Sequence, residues 1–313
     1  MAPRRQAMNI GIVGLGRMGG NMACRLVRGG VRVVGFDAVV EVRTASASEG
    51  IVATHSLEAL VGALPAPRVV WMMVPAGAAT ERVIESLAPL LMPGDVIVDG
   101  GNANYKDSQR RATALAARRI LFVDCGVSGG VHGLEQGYAL MFGADARGAA
   151  AVTPFVRILA PAPDKGWLHC GPHGAGHFVK MIHNGIEYGM MQALAEGFAL
   201  MRRRDDLALD VAAIAETWRY GSVVRSWLLD LTARFLAEDA ELVDIAPFVA
   251  DSGEGRWTVQ EAVEQGVPAP VLTLALMARF ASQGRDDYAA KMLAMMRKGF
   301  GGHAVAAAPS NPA

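Results

Sequence analysis

MNIGIVGLGRMG, residues 8–19, is the stretch on which the reading of this 313-residue chain turns. Residues 8–13 are short, apolar and rich in β-branched side chains, which predicts a buried strand. Gly14-Leu15-Gly16-Arg17-Met18-Gly19 follows at once, and Asn21 to Val27 reads as a helix. A second apolar run, Val31 to Phe36, ends in Asp37. Strand, glycine turn, helix, strand and acid form the dinucleotide-binding fingerprint in its required order. Gly14 allows the tight turn, Gly16 admits a pyrophosphate close to the backbone, and Gly19 lets helix and strand pack. The helix N-terminus then faces the anion. Gly14, Leu15, Gly16, Arg17, Met18 and Gly19 are therefore the expected cofactor loop. Asp37 is placed to accept from a ribose 2′-hydroxyl and to repel a 2′-phosphate, so NAD is expected over NADP. Arg43 is the nearest compensating cation.

The alternation continues outward. Ser56 to Ala63 is helical, and Arg68 to Val74 is a strand ended by Pro75-Ala76-Gly77. Val74 and Pro75 fall where a chain turns over a nicotinamide. Thr80 to Leu90 is helical, Val96 to Asp99 a strand, Asp107 to Ala117 a helix and Ile120 to Asp124 a strand. The pattern predicts an α/β, Rossmann-type, doubly wound and mainly parallel sheet with right-handed crossovers. Ligands in such sheets meet the carboxyl ends of the strands. Gly100 to Asn102 and Cys125 to Gly130 converge there with the first glycine loop. Cys125-Gly126-Val127-Ser128-Gly129-Gly130 offers a hydroxyl and exposed N–H groups to a carboxylate or hydroxyls, or is an ordinary glycine-rich turn. Cys125 reads as a packed small hydrophobe, since no base is paired with it.

Past the break at Gly166 to Gly176 the strand pattern stops. Residues 1–176 are expected to form the dinucleotide-binding domain, and 177–303 an all-α substrate and dimerisation domain. Residues 208–239 and 257–298 carry helical periods, Pro247 to Gly255 a loop, and 304–313 a flexible tail. His169, His173 and His177 recur every four residues, but the glycines and Pro172 between them argue against a helical metal site, and no metal is expected.

Composition narrows the function. Hydrophobic residues make up 52% of the chain, charged residues 19%, and the formal net charge is zero. That balance points away from nucleic acid and from anionic membranes. There is no 18-residue apolar run to span a bilayer. Cys24, Cys125 and Cys170 are odd in number and far apart, which suits a reducing cytoplasm. The first residues lack the apolar core and cleavage site of a secretory leader.

The helix that carries chemistry is GAGHFVKMIHNGIEYGMM, residues 174–191. At about 100° per residue, Phe178, Ile182, Ile186, Gly189 and Ala193 fall on one side. Lys180, His183, Asn184, Glu187 and Tyr188 fall on the other. The first set is expected to back the helix against a core. Lys180 and Glu187 lie two turns apart, roughly 10 Å at about 1.5 Å per residue, a gap that holds a small substrate between an amine and a carboxyl. Burial would lower the amine and raise the carboxyl toward base and acid roles. A core helix with a wet face reads the same pattern equally well.

GHFVKMIHNGIEYGMMQ at residues 176–192 resembles the catalytic-helix signature of the 6-phosphogluconate dehydrogenases. DGGNANY at 99–105, GVSGG at 126–130 and RKGFGGH at 297–303 also resemble that family's motifs, and the likeness runs from Ile10 to His303. The chain is similar to the compact, bacterial-type members, which are often NAD-linked. The resemblance implies oxidative decarboxylation of 6-phosphogluconate, a phosphorylated sugar acid, to ribulose 5-phosphate and carbon dioxide. It implies Lys180 as general base and Glu187 as general acid. Asn102, which also faces the cofactor, Ser128, Gly129, Gly130, His183 and Asn184 match contacts to the sugar acid. Tyr188, Arg279, Arg297 and His303 match phosphate and C-terminal contacts, the last two in a tail that completes a neighbouring subunit's site. A homodimer or homotetramer follows from that. Asp251-Ser252-Gly253-Glu254-Gly255-Arg256-Trp257-Thr258 departs from the family's lysine-bearing loop, so one cationic phosphate contact is missing there.

Two alternatives remain at this point. Other β-hydroxyacid dehydrogenases, of the 3-hydroxyisobutyrate or tartronate semialdehyde type, share the fingerprint, the Ser-Gly-Gly loop and the helix lysine. They typically lack Glu187, Tyr188 and the Arg297–His303 pair. A non-catalytic NAD-binding regulator would not need both Lys180 and Glu187.

Overall fold

The computed structural model describes residues 8–284 and 287–301. The chain forms two compact units that divide between His183 and Asn184. The first unit begins β1 (Asn9–Val13), α1 (Arg17–Arg28), β2 (Arg32–Phe36), α2 (Val40–Ala47), β3 (Val52–Ala53) and α3 (Leu57–Gly62). It continues with β4 (Val69–Met72), α4 (Ala78–Leu87), β5 (Val96–Asp99), α5 (Tyr105–Ala116) and β6 (Leu121–Ser128). A short α6 (Gly133–Gln136), β7 (Ala139–Gly143), α7 (Ala146–Leu159) and β8 (Trp167–Gly171) lead into α8 (Ala175–Arg202), where the chain passes to the second unit.

The strands make one sheet in the order β3-β2-β1-β4-β5-β6-β7-β8. All neighbours are parallel except β6 and β7, which run antiparallel with Asp124 opposite Gly143 and Gly126 opposite Met141. VVWM in β4 and VIVD in β5 are buried throughout, as strands covered on both faces require. One layer gathers Ile10, Ile12, Leu26, Trp71 and Phe142, and the other Val34, Leu60, Met72, Leu87 and Phe122. Each large apolar side chain so placed is worth about 1.5–3 kcal/mol against exposure. The chain reverses direction across the sheet between β1 and β4, the place where this topology opens a ligand crevice.

The structure decides or refines several readings. Cys125 to Ser128 is not a turn: β6 runs on through Ser128 and pairs with β7. A glycine there reads as a breaker, but Gly126 serves a close approach described below. The helical period over 208–239 is two helices, α9 (Val211–Trp218) and α10 (Trp227–Glu238), each capped by a side chain, from Asp210 and Ser226. That over 257–298 is three, α11 (Glu254–Gln265), α12 (Pro270–Ser282) and α13 (Asp287–Gly301). Residues 304–313 and His303 lie outside the described residues.

The burial of α8 departs from the expected sides at four positions. Ile186 is half exposed and Ala193 exposed, whereas Lys180 and Tyr188 of the polar arc are buried. Small residues let that arc inward. A Cβ on Gly176 would sit 2.5 Å from the Asp124 carbonyl oxygen, 2.6 Å from that of Met141 and 2.7 Å from the Gly143 nitrogen. Those are backbone atoms of two paired strands and cannot step aside. Gly176→Ala is expected to destabilise the fold by about 1–3 kcal/mol, the usual cost of overpacking. Urea unfolding checks it, and an unchanged midpoint would mean that α8 does not lie on the strands this closely.

Candidate active site

The glycine loop comes first in the chain. Gly14 has φ +90°, and a Cβ there would lie 2.9 Å from the Met73 carbonyl carbon. A Cβ on Gly19 would overlap the Gly14 carbonyl. Gly16 is the N-cap of α1 and has open space beside it. Leu15 is buried, Arg17 exposed and Met18 half-buried. The loop thus presents bare backbone and a helix N-terminus, the arrangement that accepts a pyrophosphate. Asp37 closes β2, and its carboxylate accepts from the N–H of Leu15 at 2.7 Å and of Val39 at 2.9 Å. A carboxylate keeps further lone pairs for a ribose hydroxyl. Arg43 turns away from that carboxylate: it donates to the carbonyls of Asp37 and Ala38 at 2.5 and 3.2 Å and lies over the Phe36 ring. These residues fit a dinucleotide without a 2′-phosphate.

Val74 and Pro75 follow β4, and Asn102, half-buried, follows β5. The Asn102 loop is braced from below. Asp99 accepts from Gly101 N at 3.1 Å and from buried Arg111 at 2.9 Å, and Arg111 reaches on to Glu81 at 2.9 Å. Burial pushes the Asp99 carboxyl above its ordinary value, against the pull of His177 and Arg111. Sequence reasoning did not find this buried network. Its only local signal is an acid at the end of an otherwise apolar strand.

Ser128 ends β6, half-buried, with Gly129 beyond it and Gly130 opening a single 3₁₀ turn. Cys125 is fully buried and burial holds its thiol well above the ordinary value, so it stays a packed thiol and not a nucleophile. Lys180 meets the same strand. A Cβ on Gly126 would overlap the Lys180 Cβ and lie 2.7 Å from its Cγ, so the lysine stem rests on bare β6 backbone. Lys180 is 5% exposed, and its Nζ lies 3.4 Å from His183 Nδ1. The lysine stem is thus held on β6 two residues before Ser128, which Gly129 and Gly130 follow.

The second unit carries Asn184 and Glu187, both half-buried, on the continuation of α8. Tyr188 is buried, and the Arg279 guanidinium stacks on its ring at 3.4 Å from the centroid. Arg279 also donates to the Ala250 carbonyl at 2.9 Å. Two residues expected at the phosphate are therefore in contact. The Tyr188 hydroxyl lies 3.5 Å from Ser252 Oγ, which donates to Glu254 at 2.6 Å. Arg256 does not replace the missing loop lysine freely: it pairs with Asp251 and covers the Phe280 ring. Arg297 is exposed on α13. Of the three spaced histidines, His169 is on β8 and His177 in the first turn of α8, with His173 between the two elements. Among the described residues no group of three His, Cys, Asp or Glu side chains is placed to hold a metal. No helix among them is long and apolar enough to cross a membrane.

Known proteins match this chain along nearly its whole length. The NAD binding domain of 6-phosphogluconate dehydrogenase matches residues 9–169, and that enzyme's C-terminal domain matches residues 176–306. The NAD(+)-dependent, decarboxylating 6-phosphogluconate dehydrogenase of Haloferax volcanii is 42% identical over 301 residues, 96% of this chain and 99% of its own. Among solved structures, Plasmodium falciparum 6-phosphogluconate dehydrogenase superposes with a TM-score of 0.82 at 28% identity, over 97% of this chain and 67% of that one. A 3-hydroxyisobutyrate dehydrogenase from Salmonella typhimurium has a TM-score of 0.75 at 24% identity, over 88% of this chain and 95% of that one. That last likeness speaks for the fold alone. The two matched domains and the near-complete match at 42% identity place this chain in the 6-phosphogluconate dehydrogenase family.

Proposed function

We propose that the chain oxidises and decarboxylates 6-phosphogluconate to ribulose 5-phosphate and carbon dioxide, and that α8 supplies both proton-transfer groups. The observation that carries this reading is Lys180, a nearly buried amine resting on Gly126 at the end of β6. When bound, NAD supplies the acceptor for the hydride lost from C3. Lys180 takes the C3 hydroxyl proton. A general base acts in its neutral form, so the amine takes the proton as an unprotonated lysine. The resulting 3-keto acid loses C1 as carbon dioxide, and the C1–C2 bonding pair moves toward the C3 oxygen. Lys180, now protonated, returns its proton to that oxygen. Glu187 then protonates the carbon that lost the carboxylate, which becomes C1 of the product, while Lys180 takes back the proton of the C3 oxygen as that oxygen closes to the product ketone. No metal is needed if the enolate oxygen is stabilised by such a donor.

In this reading Asn102, Ser128, Gly129, Gly130, His183 and Asn184 hold the sugar acid, and Tyr188, Arg279, Arg297 and His303 the phosphate end. A planar guanidinium suits a phosphate through two parallel hydrogen bonds. Residues 1–176 serve the dinucleotide and 177–303 the substrate and a homodimeric or larger assembly. The Arg297–His303 segment completes a neighbour's site, and the enzyme works in the cytoplasm. A fully active monomer would contradict the shared site.

The purified protein, mixed with cofactor and 6-phosphogluconate, tests the assignment through absorbance at the reduced-nicotinamide band. Turnover is expected with NAD and at least about tenfold less kcat/KM with NADP, because Asp37 meets a 2′-phosphate with like charge. Turnover of 3-hydroxyisobutyrate in place of 6-phosphogluconate would move the chain's activity to the other β-hydroxyacid dehydrogenases.

A further inference from the structure

We infer that Asp124 is the positioning residue of Lys180: its carboxylate caps α8 from β6 and sets where along the strand the lysine rests. This builds on the reading of Lys180 as base.

The first amides of a helix have no partner within the helix and need one from outside. The residues preceding α8, Pro172-His173-Gly174, include no side chain of the usual capping kind. The cap comes instead from fifty residues earlier. Asp124 Oδ1 accepts from Gly174 N at 2.7 Å, and Oδ2 from His177 N at 2.9 Å. Asp124 is 0% exposed, so both bonds lie away from water. Carboxylate-to-amide bonds of this kind are about twice as strong as neutral ones, and the charge also meets the positive end of the helix.

The space for the carboxylate is kept open on the neighbouring strand. Gly143 is the cross-strand partner of Asp124, and a Cβ there would lie 2.7 Å from Asp124 Oδ1 and 2.9 Å from Ala175 N. On the far side, Ser108 Oγ lies 2.7 Å from His177 Nδ1 and steadies the same turn.

Asp124 and Gly126 point to the same face of β6, since side chains alternate along a strand. Asp124 holds His177, and Gly126 receives Lys180, one helical turn later. Two points of the strand therefore hold two points of the helix, which fixes both the tilt and the slide of α8 over β6. With the first point gone, the close packing at Gly176 and Lys180 and the Ser108–His177 contact remain, but nothing polar on β6 holds the first amides, and the opening turn of the helix can shift along the strand. A displacement near 1 Å is enough to cost about a hundredfold in rate.

Asp124→Asn tests this. The amide keeps the shape but turns one acceptor into a donor facing a backbone N–H. The variant is expected to lose about 10- to 100-fold in kcat. KM for 6-phosphogluconate and affinity for NAD should stay within about threefold, since the groups that bind both remain. The primary isotope effect with 3-deuterated substrate should grow, because hydride transfer alone has slowed. A kcat within about twofold of wild type in a folded variant overturns the inference. Should Asp124→Asn fail to fold, amide exchange in the wild-type enzyme decides. Gly174 and His177 are expected to exchange as slowly as the β6 amides, and exchange at the rate of exposed loops overturns the cap. The two readings fail separately: an active Lys180→Met variant removes the base, while an inactive Lys180→Met beside a normal Asp124→Asn removes only the positioning role.

Discussion

Lys180→Met is expected to abolish turnover, with kcat lowered at least about ten-thousandfold, while NAD still binds with nearly wild-type affinity. General bases contribute about 10²- to 10⁴-fold, and here the same group also stabilises the developing enolate oxygen, so its loss touches two steps. Methionine is similar in length, flexible and apolar, and Lys180 is 5% exposed, so the exchange should not unfold the chain. The cofactor loop is on β1 and α1 and the acid Asp37 on the end of β2, elements that do not depend on the amine. Stopped-flow formation of reduced nicotinamide measures the first outcome and a fluorescence titration with NAD the second. Surviving turnover would mean that the proton leaves C3 by another route.

Glu187→Gln is expected to lower kcat about 10²- to 10⁴-fold with a small change in KM, the mark of an interaction made in the transition state. The amide keeps the size of the carboxyl, so half-buried Glu187 should be replaced without loss of fold. It cannot deliver a proton. Protonation of the new C1 then falls to solvent, and its facial selectivity should go. In heavy water the wild type should place deuterium in one of the two C1 positions, and Glu187→Gln in both. A normal kcat with retained selectivity would assign the acid elsewhere.

The fold was legible where its signals are local. The glycine fingerprint and the acid at Asp37 lie within one strand–helix–strand unit, and β1, α1 and β2 fall there. The role of Gly126 is not legible in this way because its reason is distant. It looks like a turn residue, yet it is a strand residue that a lysine on α8 rests upon. The continuation of β6 and the whole of β7, α7 and β8 were missed with it, since an antiparallel partner leaves no mark on its neighbour's sequence.

The candidate site divides the same way. The residue types on the polar arc of α8 were legible, but the direction of that arc was not. Hydrophobic periodicity pointed Ile186 inward, yet it is half exposed while Lys180 and Tyr188 are buried. What draws the polar side inward is bare backbone at Gly126 and Gly255 and the stacked guanidinium of Arg279. None of these is adjacent in sequence. The Asp99–Arg111–Glu81 brace and the Asp124 cap are of the same kind, charged groups whose partners only the fold supplies.

The proposed chemistry requires the C3 hydroxyl to meet the amine and the departing carboxyl end to meet the acid. A crystal structure of the protein with 6-phosphogluconate bound measures both contacts. Lys180 Nζ is expected within about 3 Å of the C3 oxygen, the reach of a general base, with the Glu187 carboxyl turned toward C1 and C2. Substrate seated away from Lys180, or an Nζ turned into packed protein with no path to the C3 oxygen, would contradict it.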